Sequence, residues 1–161
     1  MSAEPPQARG ATTRRRSLAR LAAVQALYQI DLSGAKPEAV IAEFVTHRLG
    51  REIDGERYGK ADPELFAELV RGTVERQEDL DRAIAAALTP DWPLERLETV
   101  LRAILRAGAC ELVRGTVPGR VVISEYIDIA HAFFSGKEPG LVNGVLDKIA
   151  HALRPGDLDE A

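Results

Sequence analysis

Apolar residues recur every three or four positions in each long segment of this 161-residue chain, and no segment alternates with period two. That spacing buries one stripe of a helix, whereas a half-buried strand needs alternation. The expected fold is therefore all-α, with six or seven helices. The last is "GLVNGVLDKIAHAL" (Gly140 to Leu153), where Leu141, Val142, Val145, Leu146, Ile149 and Leu153 share one face. Val121-Val122-Ile123 alone has strand character, but it runs on into a 3.6-residue pattern and reads as helix.

Turn and cap signals set the other boundaries. The first helix is expected from Arg14 or Ser17 to Leu32. Leu18, Leu21, Ala22, Gln25, Tyr28 and Leu32 make one face, and Val24 and Leu27 a second. "SGAKP" breaks it. Pro37 opens a second helix that uses Val40, Ile41, Phe44, Val45 and Leu49 and stops near Gly50. A charged loop, Arg51 to Ala61, follows. Asp62-Pro63-Glu64 then combines an acidic N-cap, a first-turn proline and a negative charge at the positive end of the helix dipole. The third helix is expected to run unbroken from there to Leu88 and to end at "TPDWP". A fourth spans Leu94 to Val113 with a break near Thr99. A fifth covers Arg120 to Phe134, with Val122, Ile123, Ile127, Ala130 and Phe133 inward. Residues 1–13 and 155–161 are expected to be disordered tails, leaving one domain over 14–154.

The net charge of −4 conceals a division. Residues 1–30 hold Arg9, Arg14, Arg15, Arg16 and Arg20 against Glu4 alone, a sum of +4; the remainder sums to −8. Such asymmetry suggests a basic arm for a polyanion on an acidic body, or a solubilising tail. Cys110 is the one cysteine, so no internal disulfide and no cysteine-cluster metal site is expected. The N-terminus lacks an apolar run after its charges, and no stretch approaches the roughly 18 apolar residues of a membrane span. A cytoplasmic location and no membrane partner are expected.

Catalytic signatures are missing: there is no glycine-rich phosphate loop, no HExxH and no GxSxG. His47, His131 and His151 fall on three different expected helices without metal-ligand spacing. Cys110 reads as a small core residue, Glu111 as half of a structural ion pair with an arginine, and Trp92 as a plug over a helix end. Glu125 and Asp128 read as a solvated face. No catalytic residue, cofactor or metal is expected.

Some residues exceed what packing demands. Asn143 and Gly144 are poor helix-interior residues, glycine costing about 1 kcal/mol relative to alanine. Asn143 suits either a ligand contact or a buried interhelical hydrogen bond; Gly144 suits close helix packing. Lys137 and Lys148, the only lysines after Lys60, flank the segment.

Five blocks in order carry a family resemblance: the arginine run, "AVQALYQIDL" (Ala23 to Leu32), "AILRAGACEL" (Ala103 to Leu112), "VVISEYIDIAHAF" (Val121 to Phe133) and "LVNGVLDKIA" (Leu141 to Ala150). Together they resemble the NusB family of bacterial transcription antitermination factors over most of the chain, with residues 36–90 matching only in pattern. The resemblance implies two three-helix subdomains packed side by side. It also implies binding of the boxA element of nascent ribosomal RNA, together with the ribosomal protein NusE, in the antitermination complex of RNA polymerase. The residues expected to meet RNA are Arg14, Arg15, Arg16, Arg20, Lys137, Leu141, Asn143 and Lys148. Guanidinium groups bind phosphates bidentately and stack on bases, and a splayed single strand exposes base edges to an amide or an apolar side chain.

The chain departs from the family pattern at three positions. Leu141 stands where relatives often have an aromatic residue, Leu101 where they often have an acid, and Cys110 where many have a tyrosine. Two rival readings remain. One is the NusB-like domain of an RNA cytosine methyltransferase, for which the chain ends too soon after its last helix to leave room for a cofactor-binding half. The other is a homodimeric helical scaffold with an incidental arginine arm.

Overall fold

The structure, a computed structural model, describes residues 6–49 and 61–154. The described residues form seven α-helices and no strand: α1 (Pro6–Ser33), α2 (Pro37–His47), α3 (Pro63–Glu75), α4 (Gln77–Ala87), α5 (Thr99–Arg114), α6 (Gly119–Phe133) and α7 (Glu138–Leu153). A 3₁₀ turn, Leu94–Arg96, precedes α5 at the break expected near Thr99. The chain divides into two compact units between Val70 and Arg71, within α3.

In the first unit, α1 begins at Pro6 rather than at Arg14 or Ser17. Proline suits a first helical turn, where its missing N–H is no loss. Residues 6–13, expected to be disordered, therefore enter the helix, while residues 1–5 lie outside the described residues. The buried face of α1 also differs from the expected one. Ala19, Ala23, Val24, Ala26 and Leu27 are buried, whereas Tyr28 and Leu32 are 40% and 61% exposed. Small alanines admit close neighbours, so the second apolar face, with Val24 and Leu27, is the one that packs. Gly34, at φ +71°, ends the helix in the left-handed conformation that glycine adopts without strain.

Helix α2 buries Val40, Ile41 and Phe44; Val45, expected inward, is 44% exposed. The Phe44 ring stacks on Phe66 with centroids 5.4 Å apart, and the Arg48 guanidinium lies over the Phe44 ring, 4.5 Å from its centroid. Asp62 caps α3 as expected, its Oδ1 accepting the N–H groups of Glu64 and Leu65 at 3.0 and 3.2 Å. The charged loop of residues 51–60 and the tail 155–161 lie outside the described residues.

The unbroken third helix is corrected to two, α3 and α4, parted at Arg76 (φ −106°, ψ 13°). The Arg76 N–H still bonds to Gly72 O and the Leu80 N–H to Arg76 O, so the helix bends rather than stops. Glu78 and Asp79 then sit in the first turn of α4, where negative charge is favoured.

Helix α5 is the centre of the second unit and packs on α4, α6 and α7. Ile104, Leu105, Ala107 and Leu112 are buried on it. A Cβ at Gly108 would stand 2.8 Å from Leu146 Cδ1 on α7 and 3.3 Å from Tyr126 Cγ on α6, so glycine sets the approach of three helices. Beside it, the Tyr126 hydroxyl donates to Glu111 Oε1 at 2.9 Å, with both residues fully buried. Tyr126 and Ile129 are thus inward on α6, and Phe133, expected inward, is 42% exposed. Arg106 forks onto Asp81 of α4 at 2.8 and 2.9 Å. Arg154 donates to Val117 O at 2.6 Å and to Leu112 O, covering carbonyls left open where α5 ends.

Tyr126→Phe removes a donor from a buried carboxylate and leaves the shape intact. It should lower unfolding stability by about 1–3 kcal/mol, read as a fall in urea midpoint at unchanged slope. An unchanged midpoint would mean that Glu111 is fully satisfied without the tyrosine.

Candidate nucleic-acid interface

Three consecutive arginines on a helix fan through some 200°, because each residue turns about 100°. They cannot all face one way, and they do not. Arg14 and Arg15 are exposed and Arg16 is half-buried. Arg20 lies one turn beyond Arg16 on the same stripe, and that stripe turns inward, leaving Arg20 2% exposed. Arg20 is therefore enclosed, whereas the phosphate contact expected of it calls for a guanidinium presented to solvent. The arginine turn is fixed from outside α1 as well. The Asp62 N–H, at the head of α3, donates to Arg15 O at 3.0 Å.

The start of α7, in the second unit, presents a different set of groups. Lys137 is exposed at the N-cap, Glu138 and Pro139 form the first turn, Leu141 is half-buried, and Asn143 and Gly144 are exposed. Asn143 is thus not a buried interhelical bond. Gly144 is not a packing glycine either, since a Cβ there would meet nothing within 4 Å. The packing role expected of it falls to Gly108, which residue spacing alone does not distinguish from other helical glycines. Val142, Val145, Leu146 and Ile149 are buried as expected, and Leu153 is exposed.

Lys148 has a structural partner. Its Nζ donates to Ala87 O, the last residue of α4, at 3.2 Å. A lysine there satisfies a terminal carbonyl and complements the negative end of the helix dipole. Lys148 is nevertheless exposed, and this bond uses one of the three donors of its ammonium group. Leu101 is buried, so the position where relatives often carry an acid is a core position here. Sequence reasoning passed over Glu138, whose carboxylate lies against Gly136 in the loop before α7. The available signal was an acid at the head of a segment already chosen for anion binding.

The groups that might have supported catalysis are dispersed. His47, His131 and His151 lie on α2, α6 and α7, and the described residues hold no cluster of metal-ligating side chains. Cys110 is buried, and burial pushes its thiol up, opposed by the Thr73 hydroxyl and the Arg114 and Arg76 cations. Trp92 is exposed rather than a sealed plug. A groove of about 540 Å³ runs between α4, α5 and α7, walled by Leu80, Ala83, Val113, Ile149 and Leu153. No histidine, cysteine, serine or threonine lines it. No described helix is long and apolar enough to cross a membrane.

The model of the NusB family matches residues 17–151. The chain belongs to the NusB family. It is 54% identical over 144 residues to a transcription antitermination protein NusB of Brucella anthropi, spanning 89% of this chain and 86% of that protein. Its counterpart in Brucella ovis is 55% identical, spanning 89% and 84%. Among solved structures, T. maritima NusB superposes with a TM-score of 0.72 at 29% identity, covering 91% of this chain and 97% of that one. A crystal structure of the antitermination factors NusB and NusE in complex with dsRNA superposes with a TM-score of 0.70 at 31% identity, covering 86% and 98%. Membership of this family fits a helical chain with a divided charge.

Three substitutions separate surface from core on α7. Val145→Asp buries an unpaired charge and should abolish the cooperative melt. Leu141→Asp, at a half-buried position, should leave the fold standing. Gly144→Ala, with open space at its Cβ, should stabilise by about 0.5–1 kcal/mol. Circular-dichroism melts check all three. Equal damage from Leu141→Asp and Val145→Asp would make Leu141 a core residue.

Proposed function

We propose that this chain is a non-enzymatic transcription antitermination factor that binds boxA-type single-stranded RNA together with NusE. It would act in the cytoplasm, in the antitermination complex of RNA polymerase on ribosomal RNA transcripts. The observation that carries this reading is the exposed pair Arg14 and Arg15 on an otherwise acidic chain, held in a turn whose backbone is tied to α3 by the Asp62–Arg15 hydrogen bond. Cations on an ordered helix bind phosphates with less ordering cost than cations on a coil. Arg16 adds to the pair from its half-buried position.

The start of α7 supplies the second half of the reading. Lys137 brings a charge, Leu141 an apolar edge and Asn143 an amide that is free to meet a base. These groups suit a single strand, whose base edges are open, better than a duplex, which occupies them. The related NusB and NusE structure contains dsRNA; backbone contacts from an arginine turn serve either form of RNA, and only the α7 groups discriminate. Arg20, being buried, weighs less in this reading, while Lys148 is exposed on the same helix as Asn143. Membership of the NusB family weighs against the scaffold reading, in which the arm would be incidental.

The test is the salt dependence of RNA binding. Each phosphate contact on a single strand contributes roughly 0.7 to the slope of log K against log salt. Arg14→Ala with Arg15→Ala should therefore flatten the slope by roughly 1.4, measured by fluorescence anisotropy with a labelled boxA RNA. An unchanged slope and affinity would return the segment to a solubilising role.

NusE supplies a second measurement. If the acidic body takes the basic ribosomal protein while the arginine turn takes RNA, the two ligands can bind together, and a shared ternary surface makes each raise the other's affinity by the same factor. Titrating RNA into the protein alone and into its complex with NusE should give tighter binding to the complex. Competition between the two ligands would overturn the two-surface arrangement.

A further inference from the structure

We propose that Glu138 reads a guanine at the start of α7; this rests on the RNA reading above and adds to it a base preference and the residue that sets it. The side chain is folded back over the preceding loop. Its two carboxylate oxygens stand 3.0 and 3.1 Å from the point a Cβ at position 136 would occupy, so the absence of a side chain at Gly136 makes the seat. In that seat Oε2 is shielded from solvent and has no hydrogen-bond partner. A shielded acceptor without a donor is costly to keep, and no bond must be broken for it to leave. Swinging off Gly136, the carboxylate remains at the first turn of α7, beside the exposed Lys137 and near the half-buried Leu141.

Its chemistry decides what it can meet. A carboxylate accepts hydrogen bonds and donates none. It repels phosphates, so the head of α7 is a poor phosphate seat despite its open N–H groups, of which Pro139 supplies none. A base must therefore approach through its donors. On the edge used for pairing, uracil offers one donor between two acceptors. Cytosine and adenine each offer one amino group beside an acceptor. Guanine alone offers two adjacent donors, N1–H and the N2 amino group, matched to the two oxygens of a carboxylate. Splayed single strands expose that edge. The nucleotide is thus read at the head of α7 through the donors of its base rather than through its phosphate.

The test uses 12-nucleotide oligouridine RNAs carrying one guanine at successive positions, with matching RNAs that carry inosine, which lacks the N2 amino group. The full chain should bind the best-placed guanine about tenfold tighter than the all-uridine RNA, in line with a bidentate base contact, and inosine should lose part of that gain. In Glu138→Ala the gain should vanish while affinity for the all-uridine RNA is kept or raised. Glu138→Gln, which keeps one acceptor without the charge, should retain a fraction of the gain and serves if the alanine variant melts early. An equal guanine gain in wild type and both variants overturns the proposal, as does a wild type that prefers no base. In either case oligouridine binding that still depends on Arg14 and Arg15 leaves the RNA reading intact. A wild type that binds none of these RNAs at low salt overturns both.

Discussion

Helix α5 lies against α6 and α7 as closely as it does because Gly108 carries no side chain where Leu146 and Tyr126 pass. Interiors packed at crystal-like density transmit such a constraint to their neighbours. With Tyr126 drawn against α5, its hydroxyl reaches and donates to the buried Glu111 carboxylate. With Leu146 in the gap, α7 is fixed in rotation. Val142, Val145 and Ile149 then face inward, which leaves Asn143 and Gly144 on the open side. The surface proposed to read RNA is therefore the reverse face of a packing solution centred on one glycine.

Charge is used in two different ways around this core. Some cations finish helices and join them: Arg106 pairs with Asp81, Arg154 covers the end of α5, and Lys148 covers the end of α4. Arg14 and Arg15 are exposed on a helix whose backbone is tied to α3. A sequence count sees a cation in each case, but the electrostatic footprint of a nucleic-acid site comes from those that face solvent.

Much of the fold was legible because local rules acted alone. Asp62 before Pro63 caps α3, Gly34 ends α1, and the apolar spacing of α7 marks its buried face. The failures share a cause. The outward turn of Tyr28, Leu32, Val45 and Phe133 and the inward turn of Tyr126 depend on which neighbouring helix a face meets, and several of these helices are apolar on more than one side. The bend at Arg76 leaves the hydrogen-bond ladder almost continuous, so no breaker residue announces it.

The sequence by itself determined the helical class, the family, the single cysteine and the division between a basic arm and an acidic body. Each of these follows from residue identity and spacing. Only the tertiary structure decided which cations face solvent, that Gly108 rather than Gly144 is the packing glycine, that Lys148 finishes α4, and that Glu138 rests unpartnered over Gly136. The physical reason is that burial and hydrogen-bond partners arise between segments far apart in sequence, where the 3.6-residue period carries no information about which side the neighbour will occupy.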